Sequence, residues 1–223
     1  MHLIVGSLLV GVALIYLGFS SRGFAFIAVW LGVNFLLTAV AYASKSARIY
    51  GKNTSGRFAL WAQLLYLPFF LYTLIIWHIV QRLINEHAYD WITESIIIGR
   101  RLVHPEYPVG VVNYVDLTAE FSEPKALIGR LNYISLPILD GGVPDKKALL
   151  TAMDKLLAGV TYIHCAQGHG RSGLFAALLL LKQGQVSTIE EALILLKNKR
   201  PKLTLTKAQN VFVRTFDWSH RYK

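Results

Sequence analysis

The stretch Tyr162–Leu174, YIHCAQGHGRSGL, holds the one cysteine of a 223-residue chain. A histidine precedes the thiol, and three glycines and an arginine follow it within eight positions. The run VTYIHC, Val160 to Cys165, is short and β-branched and predicts a strand leading straight into the turn. Gly173 to Lys182 predicts a buried helix leading out of it. A strand, a glycine-rich turn and a helix start together make an anion site. Backbone N–H groups converge in the turn, and the helix N-terminus adds positive potential. The turn lacks a GK[ST] ending, so it is not a nucleotide P-loop.

The turn does carry a thiol at its start and a guanidinium six residues on. A loop curling around an anion sets Cys165 below a bound phosphate and Arg171 beside its oxygens. Arginine suits that place because its planar fork binds phosphate bidentately and stays charged. Ala166, Gln167, Gly168, His169 and Gly170 form the cradle, where Gly168 and Gly170 permit backbone conformations that side chains block. A free cysteine titrates at about 8.5, lower at helix N-termini and beside cations, so the turn predicts a thiolate nucleophile. Ser172 is placed to donate to the sulfur. His164 is expected to be a buried residue hydrogen-bonding the loop rather than a general base, and His169 to face solvent or substrate.

His164-Cys165-x5-Arg171-Ser172 resembles the HCx5R[ST] signature of the cysteine-dependent protein tyrosine phosphatase superfamily. The short length and helical tail resemble its dual-specificity branch, over roughly Trp91 to Phe216. The resemblance implies phosphomonoester hydrolysis through a cysteinyl phosphate, with Arg171 and the loop amides holding the charge, so that no metal and no cofactor is expected. It also implies a leaving-group acid: an aspartate on a mobile loop a few tens of residues before the cysteine. LPILDGGVPD offers Asp140 and Asp145. Asp140 follows a strand and opens a Gly-Gly loop, so it is the expected acid. Asp145 follows Pro144 and reads as a carboxylate at the start of a helix.

Other elements complete an α/β expectation, a small central sheet flanked by helices. SIIIGR, VGVVNYVDL and RLNYISLPI predict strands, and Pro144 to Leu157 predicts a helix. Thr188-Ile-Glu-Glu191 and Thr206-Lys-Ala-Gln209 predict capping boxes opening helices to about Lys199 and through Phe216. Asp116 and Glu120, in VDLTAE, read as a strand end with a turn or cap. Lys197 to Lys207 is a basic run in which Arg200 and Lys202 could steer anionic partners. It lacks the interleaved aromatics of a nucleic-acid surface, so no nucleic-acid partner is expected.

The first part of the chain has another character. Hydrophobic residues make up 54% of the protein and the net charge is +10, yet residues 1–81 hold five basic residues and no acidic one. Apolar runs at about 2–19, 24–43 and 58–80 predict three membrane-spanning helices, since roughly 20 apolar residues cross a bilayer core. Pro68 predicts a kink in the third. The expected organisation is a transmembrane region 1–81, a linker 82–90 and a phosphatase domain 91–223. Ser44 to Arg57 carries four basic residues against one in Ser20 to Gly23, which places the 44–57 loop in the cytoplasm. With three spans, the domain then lies on the non-cytoplasmic side.

Phosphorylated proteins are the first substrate expected of such a multi-pass membrane protein. A lipid phosphate of the phosphatidylglycerophosphate kind is the alternative, because an anchor holds the site near headgroups. A non-catalytic phosphate-binding anchor is the reading of another class. It predicts a lost Cys, Arg or acid, and the sequence retains all three.

Overall fold

The computed structural model describes residues 2–20, 25–103, 106–129 and 131–218. Arg22, which enters the loop-charge comparison, Arg130, which opens the expected third strand, and residues 219–223 lie outside the described residues. Two compact units divide the chain. The first takes residues up to Asn53, Arg57–Asn85 and Glu120–Ser122; the second takes Thr54–Gly56, Glu86–Ala119 and the chain from Glu123 onward.

In the first unit, helices α1 (His2–Ser20) and α2 (Ala25–Ala43) are followed by a single 3-10 turn at Ala47–Tyr50, then α3 (Leu60–Leu65) and α4 (Leu67–Leu83). Glycines let α1 and α2 approach backbone to backbone. A Cβ on Gly11 would lie 2.9 Å from the Gly32 carbonyl oxygen, and one on Gly32 would lie 2.8 Å from that of Gly11. Small residues at the crossing are what allow so close an approach. Large side chains such as Leu9, Val12, Tyr16 and Phe19 stay exposed on α1. Both helices are long and apolar enough to cross a membrane.

The third apolar run departs from its expectation. It is two helices, not one kinked helix, with the break at Tyr66 (φ −96°, ψ 10°). Pro68 sits in the first turn of α4, where its missing N–H costs nothing. Inside a continuous helix its ring would clash with the preceding turn. The freed Leu65 carbonyl accepts from Trp30 Nε1 at 2.7 Å and from Asn34 Nδ2 at 3.0 Å. The buried amide of α2 thus satisfies the break, a pairing 31 residues apart that no local pattern announces.

The second unit holds strands β1 (Tyr89–Trp91), β2 (Ile96–Arg100), β3 (Val111–Thr118), β4 (Asn132–Ile138) and β5 (Val160–Cys165). Its helices are α5 (Lys125–Ile128), α6 (Lys146–Asp154), α7 (Gly170–Lys182), α8 (Ile189–Lys199) and α9 (Lys207–Arg214). The strand order is β1-β2-β5-β3-β4, parallel except for the antiparallel edge strand β1. Interior strands β2 and β5 are nearly continuously apolar, as expected of parallel strands covered on both faces. On one face Ile96, Ile98, Val115, Leu117 and Ile163 pack with residues of α6 to α9. On the other, Tyr133, Tyr114 and Tyr162 stand opposite one another across β4, β3 and β5. Their rings stack at 6.2 and 5.2 Å between centroids.

Local expectations are adjusted in two places and met in a third. Helix α9 ends at Arg214, not Phe216. At α8 the Thr188 hydroxyl accepts from Glu191 N, but the Glu191 carboxylate accepts from Ser187 N rather than closing a box on Thr188. The box at α9 is complete, with Thr206 and Gln209 capping each other's backbone.

Candidate active site

β5 lies between β2 and β3, and its carboxyl end releases the chain at Cys165 into the crevice where open α/β sheets place their ligands. Cys165 is buried. Helix α7 begins five residues later, with Arg171 and Ser172 both buried in its first turn. The intervening loop is shaped from outside. The carbonyl of Gly168 accepts from Arg200 Nε at 2.9 Å and that of Gln167 from Arg200 Nη2 at 3.1 Å. The Ala166 carbonyl faces the Arg101 N–H at 3.4 Å. In a trans peptide the C=O of one residue and the N–H of the next point in opposite directions. Pulling these three carbonyls outward therefore turns the N–H groups of Gln167, Gly168 and His169 inward, which builds an anion-binding concavity.

Arg200 corrects a sequence expectation. It is not a surface cation steering anions: it is 1% exposed, and it pairs with Asp90 Oδ2 at 2.6 Å and Glu86 Oε1 at 3.3 Å. A buried guanidinium needs both charge partners and acceptors for its fork, and the loop carbonyls supply the acceptors. His169, partly exposed, has its Nε2 2.9 Å from Glu86 Oε2. Gly168 has φ +73°, and a Cβ there would lie 2.4 Å from the Gly99 carbonyl carbon. The loop can therefore press on the end of β2 only with glycine at this position.

Asp140 Oδ1 lies 3.1 Å from Arg171 Nη2, and Arg171 Nη1 donates to the Ile138 carbonyl at 3.0 Å. The Asp140 side chain is 71% exposed, while that of Arg171 is 1% exposed, so the pair bridges solvent and interior. Asp145 is elsewhere engaged: its carboxylate caps α6 by accepting from Ala148 N at 2.9 Å. Ser172 Oγ is buried and has no hydrogen-bond partner among the described residues.

His164 is fully buried, with Nδ1 3.4 Å from the Cys165 carbonyl and Nε2 3.6 Å from Asp116 Oδ1. Asp116 is not a simple strand cap. It accepts from Thr118 N and Oγ1 at 2.8 and 2.6 Å and from the Tyr133 hydroxyl at 2.5 Å. Burial pushes the phenols of Tyr114, Tyr133 and Tyr162 well above the ordinary tyrosine value, so Tyr133 remains a proton donor to Asp116. Asp116, Glu123 and His164 each bring one potential ligand atom within 4.8 Å of the others. Fixed internal donors already engage both carboxylates, that of Glu123 being held by Arg101 Nε at 2.9 Å. This cluster is best described as a hydrogen-bonded support behind the Cys165 strand.

Sequence reasoning placed Cys165, Arg171, Asp140 and Ser172 on adjoining elements, and the fold brings Asp140 and Arg171 into contact. It missed Arg200, Glu86, Asp90, Thr118 and Tyr133 as supports. The Arg200 pairing with Asp90 spans 110 residues, and the basic run around it masked its role.

Comparison with known proteins gives a family for this domain and a similar fold. The family model PTP-SAK, described as "Swiss Army Knife protein, DSP-PTPase phosphatase domain", matches residues 102–215. "Putative tyrosine phosphatase 067L" of Invertebrate iridescent virus 3 is 38% identical over 112 residues, 44% of this chain and 46% of the relative. "Putative tyrosine phosphatase 197R" of Invertebrate iridescent virus 6 is 35% identical over 91 residues, 35% of this chain and 34% of the relative. The chain thus spans less than half the length of these curated relatives. The fold is similar to that of Tk-PTP in the active form, with a TM-score of 0.50 and 21% identity, covering 56% of this chain and 92% of that one.

Proposed function

The chain belongs to the family of dual-specificity-type (DSP-PTPase) phosphatase domains through residues 102–215, and we propose that it is a membrane-anchored, cysteine-dependent phosphomonoester phosphatase acting on Tyr, Ser and Thr phosphoproteins. The observation that carries this reading is the Asp140–Arg171 pair at the mouth of a loop whose carbonyls are held outward. In the proposed cycle a substrate phosphate enters the loop and takes Arg171 from Asp140, and the carboxylate, freed from the cation, takes up a proton from solvent. The Cys165 thiolate attacks phosphorus, the bond to the leaving oxygen breaks, and Asp140 gives that oxygen its proton. Asp140, now a carboxylate, takes a proton from a water that attacks phosphorus. The S–P bond breaks and the thiolate returns, with the Ser172 hydroxyl as its donor. Arg171 and the inward N–H groups hold the charge of both transition states.

The two N-terminal apolar helices support a membrane anchor, with the broken α3–α4 pair as a third crossing. By the charge of the 44–57 loop, three crossings set the domain on the non-cytoplasmic side, and two crossings set it inside. A reporter fused after Lys223 distinguishes these. An anchor also supports the second reading, a lipid phosphate substrate, because it raises the local concentration of headgroups at the site.

The full-length protein should hydrolyse an aryl phosphate, and Cys165→Ser should reduce this to background; activity persisting in that variant would sink the mechanism. A panel of phosphopeptides and phospholipid monoesters presented to the intact protein decides between the substrate classes. A preference in kcat/KM for the lipids replaces the phosphoprotein reading with the second.

A further inference from the structure

We propose that Thr206 and Gln209 form a latch that positions the acid loop, beyond their part in starting α9; the inference rests on the assignment of Asp140 as the acid. The loop after β4 is a tight turn in which Gly142 N donates to the Leu139 carbonyl at 2.9 Å, with Gly141 at φ +68°. Asp140 sits at the corner of this turn, largely exposed. A carboxylate so placed needs its turn fixed if it is to return to the same point above the loop in each cycle. Two side chains reach the turn from α9. Thr206 Oγ1 donates to the Gly141 carbonyl at 2.9 Å, and Gln209 Nε2 donates to the Gly142 carbonyl at 2.9 Å.

The same two side chains close the capping box. Thr206 Oγ1 accepts from Gln209 N at 3.3 Å, and Gln209 Oε1 accepts from Thr206 N at 3.0 Å. Each therefore accepts from the helix start and donates to the acid loop. That double duty explains the residue types. A capping box needs only acceptors, which Asp and Glu supply as well, but a latch needs a hydroxyl and an amide that donate too. Gln209 is fully buried, and its Oε1 lies 2.6 Å from where a Cβ on Gly170 would stand. One side chain thus rests against the start of α7 while holding the acid loop, and so sets the distance between the proton donor and the phosphate cradle.

Thr206→Asp and Gln209→Glu separate the two roles, since both keep the cap acceptors and remove the donors to Gly141 and Gly142. The readout is the dependence of kcat/KM on leaving-group pKa across a series of aryl phosphates, measured on the full-length protein with Asp140→Asn beside it. Thr206→Asp should keep its melting temperature within a few degrees of the parent, because the cap survives at an exposed position, whereas Gln209→Glu also buries a carboxylate and should melt lower, so both are compared well below their transitions. For phenols of pKa about 10, kcat/KM should fall roughly ten- to a hundredfold, and for those of pKa about 7 less than about threefold, a steepening in the direction of Asp140→Asn. Thr206→Ser, which keeps donor and acceptor, should restore the parental slope. A loss equal for all leaving groups, as the added charge or a purely structural role would give, overturns the latch, and so does an unchanged slope. If Asp140→Asn itself leaves the slope flat, the acid assignment falls and takes the latch with it; if Asp140→Asn steepens it and the latch variants do not, the latch alone falls.

Discussion

Two loops meet at Arg171, and they are held in opposite ways. The phosphate loop is anchored from behind by the buried Arg200 guanidinium, which is closed to solvent and donates to the loop carbonyls, with Asp90 and Glu86 compensating its charge. The acid loop is a turn near the surface, tied by two side-chain hydrogen bonds from α9. Each bond of that kind contributes about 1 kcal/mol net. A loop that binds a dianion must present its N–H groups before the substrate arrives, since reorganising them during reaction would cost catalysis. A loop that delivers and recovers a proton must let the leaving group and a water pass. Stiffness in one and light restraint in the other follow from those tasks.

Substitutions that touch one loop and spare the other test this contrast. The largest effect is expected from Arg200→Met, which strips the cradle of its outer donors and leaves Asp90 and Glu86 facing a buried methionine. Removing one member of a buried ion pair costs about 3–5 kcal/mol, at the lower end here because both carboxylates are partly exposed. Thermal unfolding should show the loss, and kcat/KM should fall for every leaving group alike. An unchanged melting temperature with a salt-dependent rise in KM would instead return Arg200 to the surface role that its basic neighbours suggest.

Gly168→Ala should come next. It forces a left-handed residue to carry a Cβ against the Gly99 carbonyl, a strain of about 1–3 kcal/mol, and it displaces the very peptide that Arg200 holds. Phosphate or vanadate affinity, followed by titration, should drop while the leaving-group slope stays flat. The smallest effect belongs to Asp145→Ala, five residues past Asp140. It removes the α6 cap, worth about 1 kcal/mol by melting, and should leave kcat/KM within about twofold. A drop in activity comparable to that of Asp140→Asn would show that the proton comes from the wrong aspartate.

The legibility of the molecule follows the range of its interactions. VTYIHC declared a buried strand because β-branched apolar residues bounded by glycine do so locally, and β5 runs over those same residues. Thr206-x-x-Gln209 declared a cap because a capping box is closed within four residues. The break at Tyr66 was half legible. Pro68 marked the place, but the carbonyl it frees is satisfied by Trp30 and Asn34, far along the chain. Strand β1 was missed because three residues at a sheet edge carry too little pattern to register. Arg200 was misread for a related reason: a cation within a run of lysines is statistically a surface group, and only the fold supplies the two carboxylates and three carbonyls that surround it.

The sequence by itself determined the chemistry of the cradle. A cysteine and an arginine six residues apart, with glycines between a strand and a helix, make one local structure whose charge and nucleophile lie in one loop. The tertiary structure decided how that loop is held and which carboxylate stands beside its arginine. Arg200, Glu86 and Asp90 act across about a hundred residues, and Asp140 reaches Arg171 only because β4 ends and α7 begins on the same side of the sheet. Local bonds are written in spacing, whereas a buried charge and its partners are joined only when the chain has packed.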